Sequence, residues 1–286
     1  KALYFSDEGK KVAEAQMPAE LNDQVASLRE KIVEAAAEAD DELLEKYLEG
    51  VALEPDEIMR GLKKGIADKS IFPVLCGAAT KNLGMQPLMN MIKTFIPSPL
   101  DREAMKGSVP DKEETVERKP SPEDPFSAFV FKTLADPYVG RVNFFRVYSG
   151  SLTPDSQVYN SNKDKAERVG QVFSMRGKNQ IAMEEVVTGD IAAVAKLQHT
   201  GTGDTLCDRA QPVVFEPLQF PEPVISFAVE PKNKGDEEKV SSGLARFLDE
   251  DPTLRLERRV ETKQTVISGL GELHLEIIVS RLAQKF

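Results

Sequence analysis

Apolar residues in the first hundred positions recur mostly at helical spacing. Over residues 18–48 they return every three or four positions, which predicts one long amphipathic helix ended by Gly50. A second helix is predicted to start at Pro55, because proline suits the first helical turn, and a third covers about 85–95. Between these helices, the apolar run 71–75 predicts a buried strand.

Residues 126–216 change to a pattern typical of β-structure. Short segments rich in Val, Phe and Tyr are separated by glycines at turn-like intervals, and evenly spaced short strands of this kind predict a closed antiparallel barrel. The punctuating glycines are Gly140, Gly150, Gly170, Gly189 and Gly203. The polar, proline-bearing stretch 100–125 that precedes them has no apolar period, so it is predicted to be a linker or a long exposed loop.

A third pattern begins at Pro221. It predicts a strand, a helix over 236–251, two alternating strands that form a hairpin, and a final helix. The order β-α-β-β-α is that of a split βαβ unit lacking its last strand. A sheet without that strand exposes an unpaired edge, so the chain is expected to stop short of its domain's true end.

Composition and charge narrow the possible functions. With 41% hydrophobic and 29% charged residues, the chain is not disordered throughout, and it has no apolar run of about 18 residues that could span a membrane. Its two cysteines, Cys76 and Cys207, form neither a disulfide framework nor a zinc motif, so a cytoplasmic location is expected. The net charge of −10 argues against broad nucleic-acid coating, and residues 1–70 carry −7 of it, which indicates an acidic surface with its own partner.

One tetrapeptide resembles a nucleotide-binding motif. Asn233–Asp236 fits N-K-x-D, in which the Asp carboxylate of a GTPase binds guanine. The chain has no G-x-x-x-x-G-K-[ST] phosphate loop, however, so the favoured interpretation is a polar loop that caps the next helix. The similar string Asn162–Lys165 has its Asp in the wrong place and is expected to form an ordinary turn.

Three further features leave alternatives open. The small residues of Cys76–Thr80 are expected to form either a plain tight turn or a close approach to a ligand, with a free amide donating to a base oxygen. The basic residues within 163–178 could contact an RNA backbone or simply face solvent. His274 is expected to be structural or exposed, because no second His or Cys is near it in sequence; no catalytic residue and no metal ligand are predicted.

Long strings of this sequence resemble one known family. Residues 222–286, with EPVISFAVEPKNKGDEEKV and ETKQTVISGLGELHLEIIVSRLAQKF, closely resemble the third domain of bacterial elongation factor G. Residues 123–216, with VGRVNFFRVYSGSL and TGDTLCD, resemble its second domain. Residues 25–99, with CGAATKNLG and IPSP, resemble the insert and closing part of its GTP-binding domain.

The resemblance implies a chain that combines α/β, all-β and α+β parts. Residues 1–99 would form the helical insert and the C-terminal part of a P-loop GTPase domain, and residues 100–122 a linker. Residues 123–216 would form an antiparallel β-barrel. Residues 221–286 would form a ferredoxin-like split βαβ domain lacking its last strand.

The resemblance also implies an activity. Members of this family are ribosomal translocases, which use GTP hydrolysis to move tRNA and mRNA and assist ribosome recycling. Their phosphate loop, switches and N-K-x-D precede the position of Lys1, so this internal fragment is expected to be inactive alone.

GTP and Mg²⁺ would bind the full-length protein, and no cofactor is expected in the fragment. The last guanine motif maps onto Ala78, Ala79 and Thr80, with Ala78 where the family commonly has Ser; a backbone amide would make the contact.

The implied partner is the ribosome. The acidic insert near residues 18–70 would contact the stalk protein, the second domain small-subunit RNA, and the third domain the intersubunit face. No membrane or DNA partner is expected. Two alternatives stay open: a ribosome- or RNA-binding module that is not a GTPase, and a paralogue specialised in recycling.

Overall fold

The computed structural model divides the chain into two compact units, Lys1–Ser98 and Pro99–Phe286. The residues it describes are 2–6, 11–136, 139–231, 233, 235–262 and 264–285.

The first unit is mostly helical. Its elements are β1 (Ala2–Ser6), β2 (Lys11–Ala15), α1 (Asn22–Glu38), α2 (Asp41–Leu48), α3 (Pro55–Ala67) and α4 (Met85–Phe95), with short 3-10 helices at Ala19–Leu21 and Ala79–Lys81. Strands β1 and β2 pair antiparallel. The helices predicted from Pro55 and over 85–95 are confirmed, and α3 begins with a capping box formed by Glu54 and Glu57.

The prediction of one continuous helix over 18–48 is wrong, because the chain breaks at Asp40. This residue has an extended backbone (φ −147°, ψ 119°) between α1 and α2. Its carboxylate lies 3.4 Å from the Arg60 guanidinium and 3.5 Å from the Lys64 ammonium, both on α3. Burial acts to raise the pKa of Asp40, but these two cations outweigh it and hold the pKa below its ordinary value. An ion pair with a third helix therefore accompanies a bend that helical periodicity does not reveal.

The prediction of a buried strand at 71–75 is also wrong. The segment has no regular secondary structure, and the side chains of Phe72 and Val74 are 74% and 94% exposed. A strand needs a neighbour to pair with its backbone groups. Among the described residues of this unit, the only strands are β1 and β2, which pair with each other.

Helices α1 and α3 approach closely at a glycine. A Cβ atom added to Gly61 would lie 2.2 Å from the carbonyl oxygen of Ala36, nearer than any real contact. Ala36 and Leu43 are fully buried, as is most of Ile58, so this contact forms the core of the helical layer.

The second unit begins with strands that build three sheets. They are β3 (Met105–Ser108), β4 (Thr115–Arg118), β5 (Ser127–Asp136), β6 (Gly140–Ser149), β7 (Ser151–Leu152), β8 (Gln157–Asn160), β9 (Lys165–Arg168), β10 (Val172–Arg176), β11 (Asn179–Ala182), β12 (Val186–Val187), β13 (Ile191–Ala195), β14 (Thr205–Cys207) and β15 (Val214–Phe215). A short 3-10 helix, Pro99–Asp101, precedes them.

Eight of these strands form the predicted antiparallel barrel. Their order is β11-β10-β13-β6-β5-β14-β8-β9, and the short strands β7 and β12 pair separately. Val158 of β8 and Val172 of β10 come from opposite ends of this order, yet both lie in one buried cluster with Phe145 of β6. The sheet therefore curls around a single apolar core, which confirms the barrel predicted from the sequence.

The stretch 100–125 is not the structureless linker or loop that was predicted. Strands β3 and β4 pair with each other and with β15, in the order β15-β3-β4. Phe215 of β15 is fully buried and packs in a cluster with Phe129 and Cys207 of the barrel. The two strands are only four residues long and half-buried, so their apolar alternation is too short to register in the sequence.

Two buried carboxylates hold the loop between β13 and β14 against the barrel. Glu167 accepts hydrogen bonds from the backbone N–H groups of Gln198 and His199 and from the Thr200 hydroxyl. Asp204 accepts hydrogen bonds from the Asn160 amide, 2.9 Å away, and from a backbone N–H within the loop. Because a buried carboxylate must be hydrogen-bonded, these contacts fix the loop's backbone.

The remaining residues form the C-terminal α/β part, defined here as 225–285. Its elements are β16 (Ile225–Val229), α5 (Glu237–Glu250), β17 (Arg255–Arg259), β18 (Gln264–Gly269) and α6 (Glu272–Lys285). The antiparallel sheet has the order β16-β18-β17, and both helices pack on one face of it around Phe247 and Leu275. The split βαβ unit lacking its last strand is thus confirmed.

We predict that Gly61→Ala destabilises the helical unit. Alanine normally favours a helix over glycine by about 1 kcal/mol, but here its methyl group would meet the Ala36 carbonyl, and overpacking costs about 1–3 kcal/mol. Thermal unfolding followed by circular dichroism, together with hydrogen exchange of α1 and α3, measures the loss. The exposed Lys63→Ala on the same helix is the control, and a Gly61→Ala protein at least as stable as that control would contradict the close approach.

Candidate functional site

The predicted guanine motif lies in a tight loop just before α4. The loop closes through two backbone hydrogen bonds, from the Ala78 N–H to the Leu83 carbonyl (3.0 Å) and from the Leu83 N–H back to the Ala78 carbonyl (3.1 Å). Gly84 follows with φ +75°, and a Cβ atom there would lie 2.8 Å from the Cys76 carbonyl oxygen. Glycine is therefore required where the loop closes on itself.

This closure determines which amides of the loop are available. The Ala78 N–H is engaged with Leu83, so it is not the donor that a ligand would meet. Ala79 and Thr80 begin the 3-10 helix Ala79–Lys81, and the first N–H groups of a helix have no acceptor within it. Both residues are exposed, so the loop presents two adjacent backbone donors. Binding of guanine there stays a prediction.

The N-K-x-D tetrapeptide belongs to the start of α5. Asp236 occupies the N-cap position, and its carboxylate accepts hydrogen bonds from Lys239 (3.0 Å) and, at 3.4 Å, from Asn233. The hydrogen bond from Lys239, followed by that from Asn233, lowers the pKa of Asp236. Lys234 lies outside the described residues. The segment is a polar loop before α5, as predicted, but the predicted cap is wrong, because the Asp236 carboxylate bonds to these two side chains and makes no capping hydrogen bond to the helix backbone.

The second near-match, Asn162–Lys165, is the tight turn between β8 and β9. Asn162 accepts a hydrogen bond from the Thr205 N–H at 2.7 Å, and Lys163 forms an ion pair with Asp204 at 2.9 Å. These side chains tie the turn to the neighbouring strand β14. The prediction of an ordinary turn is therefore confirmed.

The basic residues of 163–178 do not form one uniform surface. Arg168 lies 3.5 Å from the Asp155 carboxylate, and Lys163 is held by Asp204 as described. The others, Lys165, Arg176 and Lys178, are exposed on β9 and at the β10–β11 turn. These three could meet phosphate, and RNA contact stays a prediction.

His274 has a structural role, as predicted. Its Nδ1 accepts a hydrogen bond from the Leu270 N–H at 3.1 Å, so the ring proton lies on Nε2, which donates to the Asp251 carboxylate at 2.9 Å. Asp251 caps the end of α5, while His274 lies in the first turn of α6. One imidazole therefore connects the end of one helix to the loop that starts the next.

The described residues were also compared with the requirements of a metal site, a membrane-spanning helix and a reactive cysteine. Within it, no group of three or more His, Cys, Asp or Glu is placed to hold a metal ion. Nor does any described helix have the length and apolar character needed to cross a membrane. Cys76 is exposed and Cys207 is buried, and burial raises the pKa of the Cys207 thiol, which leaves it a poor nucleophile.

A charged contact between the barrel and the C-terminal α/β part was not predicted from the sequence. It joins Arg141 and Ala135 of the barrel to Asp249 and Glu250 at the end of α5. A signal was present, since carboxylates in the last turn of a helix face the negative end of its dipole and need cations nearby. Their partner, Arg141, lies 108 positions earlier than Asp249.

We predict that Asp251 makes the stability of the C-terminal α/β part depend on pH. Burial acts to raise the pKa of Asp251, but hydrogen bonds from Thr253 and His274 outweigh it and hold the pKa below its ordinary value. A lowered pKa adds stability that is present above the unfolded value of about 3.9 and is lost as the pH falls through the folded pKa.

The difference in unfolding midpoint between the unmodified chain and Asp251→Asn should therefore be largest near neutral pH and shrink below about pH 4. Thermal unfolding at a series of pH values measures this. Glu257→Gln, at an exposed position on β17, is the matched control. An equal difference at all pH values would show that the Asp251 charge is not the cause.

Models of known protein families match two regions of this chain, the barrel and the C-terminal α/β part. The model of elongation factor G domain 2 matches residues 125–209, the barrel, and that of Elongation Factor G, domain III, matches residues 220–286. A crystal structure of a protein from Thermus thermophilus is 29% identical with a TM-score of 0.75, over 98% of this chain and 40% of that one. This chain thus spans less than half the length of that relative. Because the two domain models together match more than half of its residues, the chain belongs to the elongation factor G family of translation factors.

Proposed function

We propose that this chain is part of a ribosomal translocase, in which GTP hydrolysis by the full-length protein moves tRNA and mRNA along the ribosome. The observation that carries the proposal is the match of domain 2 and domain III, in that order and next to each other along one chain. Both matched regions lie within one compact unit, Pro99–Phe286. This arrangement suits a part that binds the ribosome and transmits movement, while the phosphate chemistry resides elsewhere.

We further propose that the loop before α4 recognises the guanine base. The N–H groups of Ala79 and Thr80 are the donors that this loop presents. Guanine offers the acceptor O6, whereas adenine carries a donor amino group at the corresponding position. Two backbone donors would therefore favour guanine over adenine. GTP and Mg²⁺ would depend on the rest of the protein for phosphate and metal contacts.

The partners follow from surface charge and family membership. Exposed basic residues on the barrel, Lys165, Arg176 and Lys178, would contact the phosphates of small-subunit RNA. The acidic helices of the first unit would contact the stalk protein, and because residues 1–70 carry a net charge of −7, we expect the surface that they meet to be basic. The C-terminal α/β part would lie at the intersubunit face, in the cytoplasm with the ribosome.

The experiment uses the full-length protein that carries this chain. We expect ribosome-dependent GTP hydrolysis coupled to movement of mRNA by one codon. The variant Ala79→Pro removes a single N–H at the first position of a 3-10 helix, where proline fits the backbone. Loss of one hydrogen bond to the nucleotide should weaken GDP binding about tenfold. Thr80→Ala keeps both backbone donors and is the matched control.

The outcomes distinguish the alternatives. Ribosome binding without GTP hydrolysis would indicate a binding module that is not a GTPase. Ribosome splitting without mRNA movement would indicate a paralogue specialised in recycling. If Ala79→Pro and Thr80→Ala both bind GDP as tightly as the unmodified protein does, the loop does not bind the base. This conclusion holds whatever the activity of the full-length protein.

A further inference from the structure

The barrel and the C-terminal α/β part have separate apolar cores. The buried cluster of the barrel contains residues of 128–206, and the cluster of the α/β part contains residues of 244–282; the two share no member. The connecting stretch 216–224 has no regular secondary structure and contains three prolines. Orientation of one part against the other must therefore depend on the contacts between their surfaces.

Hydrogen bonds to charged groups join these two surfaces. The Arg141 guanidinium of β6 donates to the Asp249 carboxylate at 2.5 Å. The Ala135 N–H of β5 donates to Glu250 Oε1 at 2.9 Å. Arg281 of α6 donates to Glu250 Oε2 at 2.8 Å, so one carboxylate joins β5, α5 and α6.

The two carboxylates need these partners. Asp249 and Glu250 are adjacent in the last turn of α5, where they repel each other and oppose the helix dipole. The Glu250 side chain is only 7% exposed, so it is poorly solvated without its donors. Arg281 is itself fixed by stacking over the Phe247 ring, 4.9 Å from its centre.

Arg141 is also held in place from the barrel side. Its guanidinium donates to the backbone carbonyls of Gln198 (3.3 Å) and Thr200 (3.5 Å) in the loop between β13 and β14. That loop is the one that Glu167 fixes through its backbone amides. The cation that meets Asp249 is therefore preorganised by the barrel.

A cavity of about 290 Å³ lies beside these contacts. Apolar side chains of the barrel, including Leu134, Phe144 and Met175, line it together with Glu250 and Arg281. The joint therefore has open space beside its hydrogen bonds, unlike the two close-packed cores.

We propose that Asp249 and Glu250 form a charged clasp that fixes the orientation of the C-terminal α/β part against the barrel, and that opening the clasp lets this part rotate about the connector 216–224. The clasp consists of these two carboxylates with Arg141, Arg281 and the Ala135 N–H. Its basis is this geometry, so it stands independently of the proposed function.

The test measures a distance across the joint in the full chain. Spin labels are attached at Gln157→Cys on the barrel and Glu276→Cys on α6, both exposed and outside the clasp, after the exposed Cys76 is changed to Ser. Pulsed electron–electron double resonance then gives the distribution of distances between the two spin labels. We expect one narrow peak for the labelled chain, and loss of that single peak with a second, broad population when Arg141→Ala and Glu250→Ala are combined.

The matched control combines Glu257→Ala and Arg258→Ala, which also remove one carboxylate and one guanidinium, at exposed positions on β17. It should keep the single peak. If Glu250→Ala does not fold, Arg141→Ala combined with Glu250→Met provides a second test, because methionine fills the space of the Glu250 side chain without offering an oxygen to the Ala135 N–H. An unchanged single peak in either folded double variant would overturn the proposal.

Discussion

The hydrogen bonds that the buried Glu167 carboxylate accepts are the interactions on which the second unit depends most. It binds the backbone of the loop between β13 and β14, and carbonyls of that same loop hold Arg141. Arg141 in turn meets Asp249 at the end of α5. A single chain of hydrogen bonds thus runs from inside the barrel to the C-terminal α/β part, and each link is fixed by the one before it.

Asp204 strengthens the same loop from its other end. Its backbone carbonyl accepts a hydrogen bond from the Val130 N–H, and the neighbouring Gly203 N–H donates back to Val130. Strand β5, which contains Val130, also supplies the Ala135 N–H that binds Glu250. Barrel closure and docking of the α/β part are therefore properties of one hydrogen-bonded framework.

Sequence patterns predicted the elements whose signals are local. The helix from Pro55 is specified by the position of its proline, and the helices and hairpin after residue 236 are specified by apolar residues that recur over short distances in the chain. The failures involve distant partners. The helix break at Asp40 coincides with ion pairs to Arg60 and Lys64 on another helix, and β3 pairs with β15 more than a hundred positions later. The run 71–75 has strand composition but no paired strand beside it among the described residues.

The candidate nucleotide loop was found by resemblance, while its available donors required the structure. Sequence alone did not show that Ala78 uses its N–H to close the loop, which leaves Ala79 and Thr80. The clasp was invisible for the reason that applies to β3, because Ala135 and Glu250 are 115 positions apart. Contacts between such distant residues follow from the assembled fold and have no periodic signature in the sequence.

Hydrogen exchange of the second unit after Glu167→Gln tests this framework most directly. The amide of Gln cannot accept all of the loop's donors, and leaving buried groups unpaired costs about 1–3 kcal/mol. Exchange should therefore accelerate in the β13–β14 loop and also in the last turn of α5, while the exposed Glu185→Gln leaves both unchanged. Faster exchange confined to the loop, with α5 protected as before, would contradict the claim that the barrel's buried carboxylate positions the C-terminal α/β part.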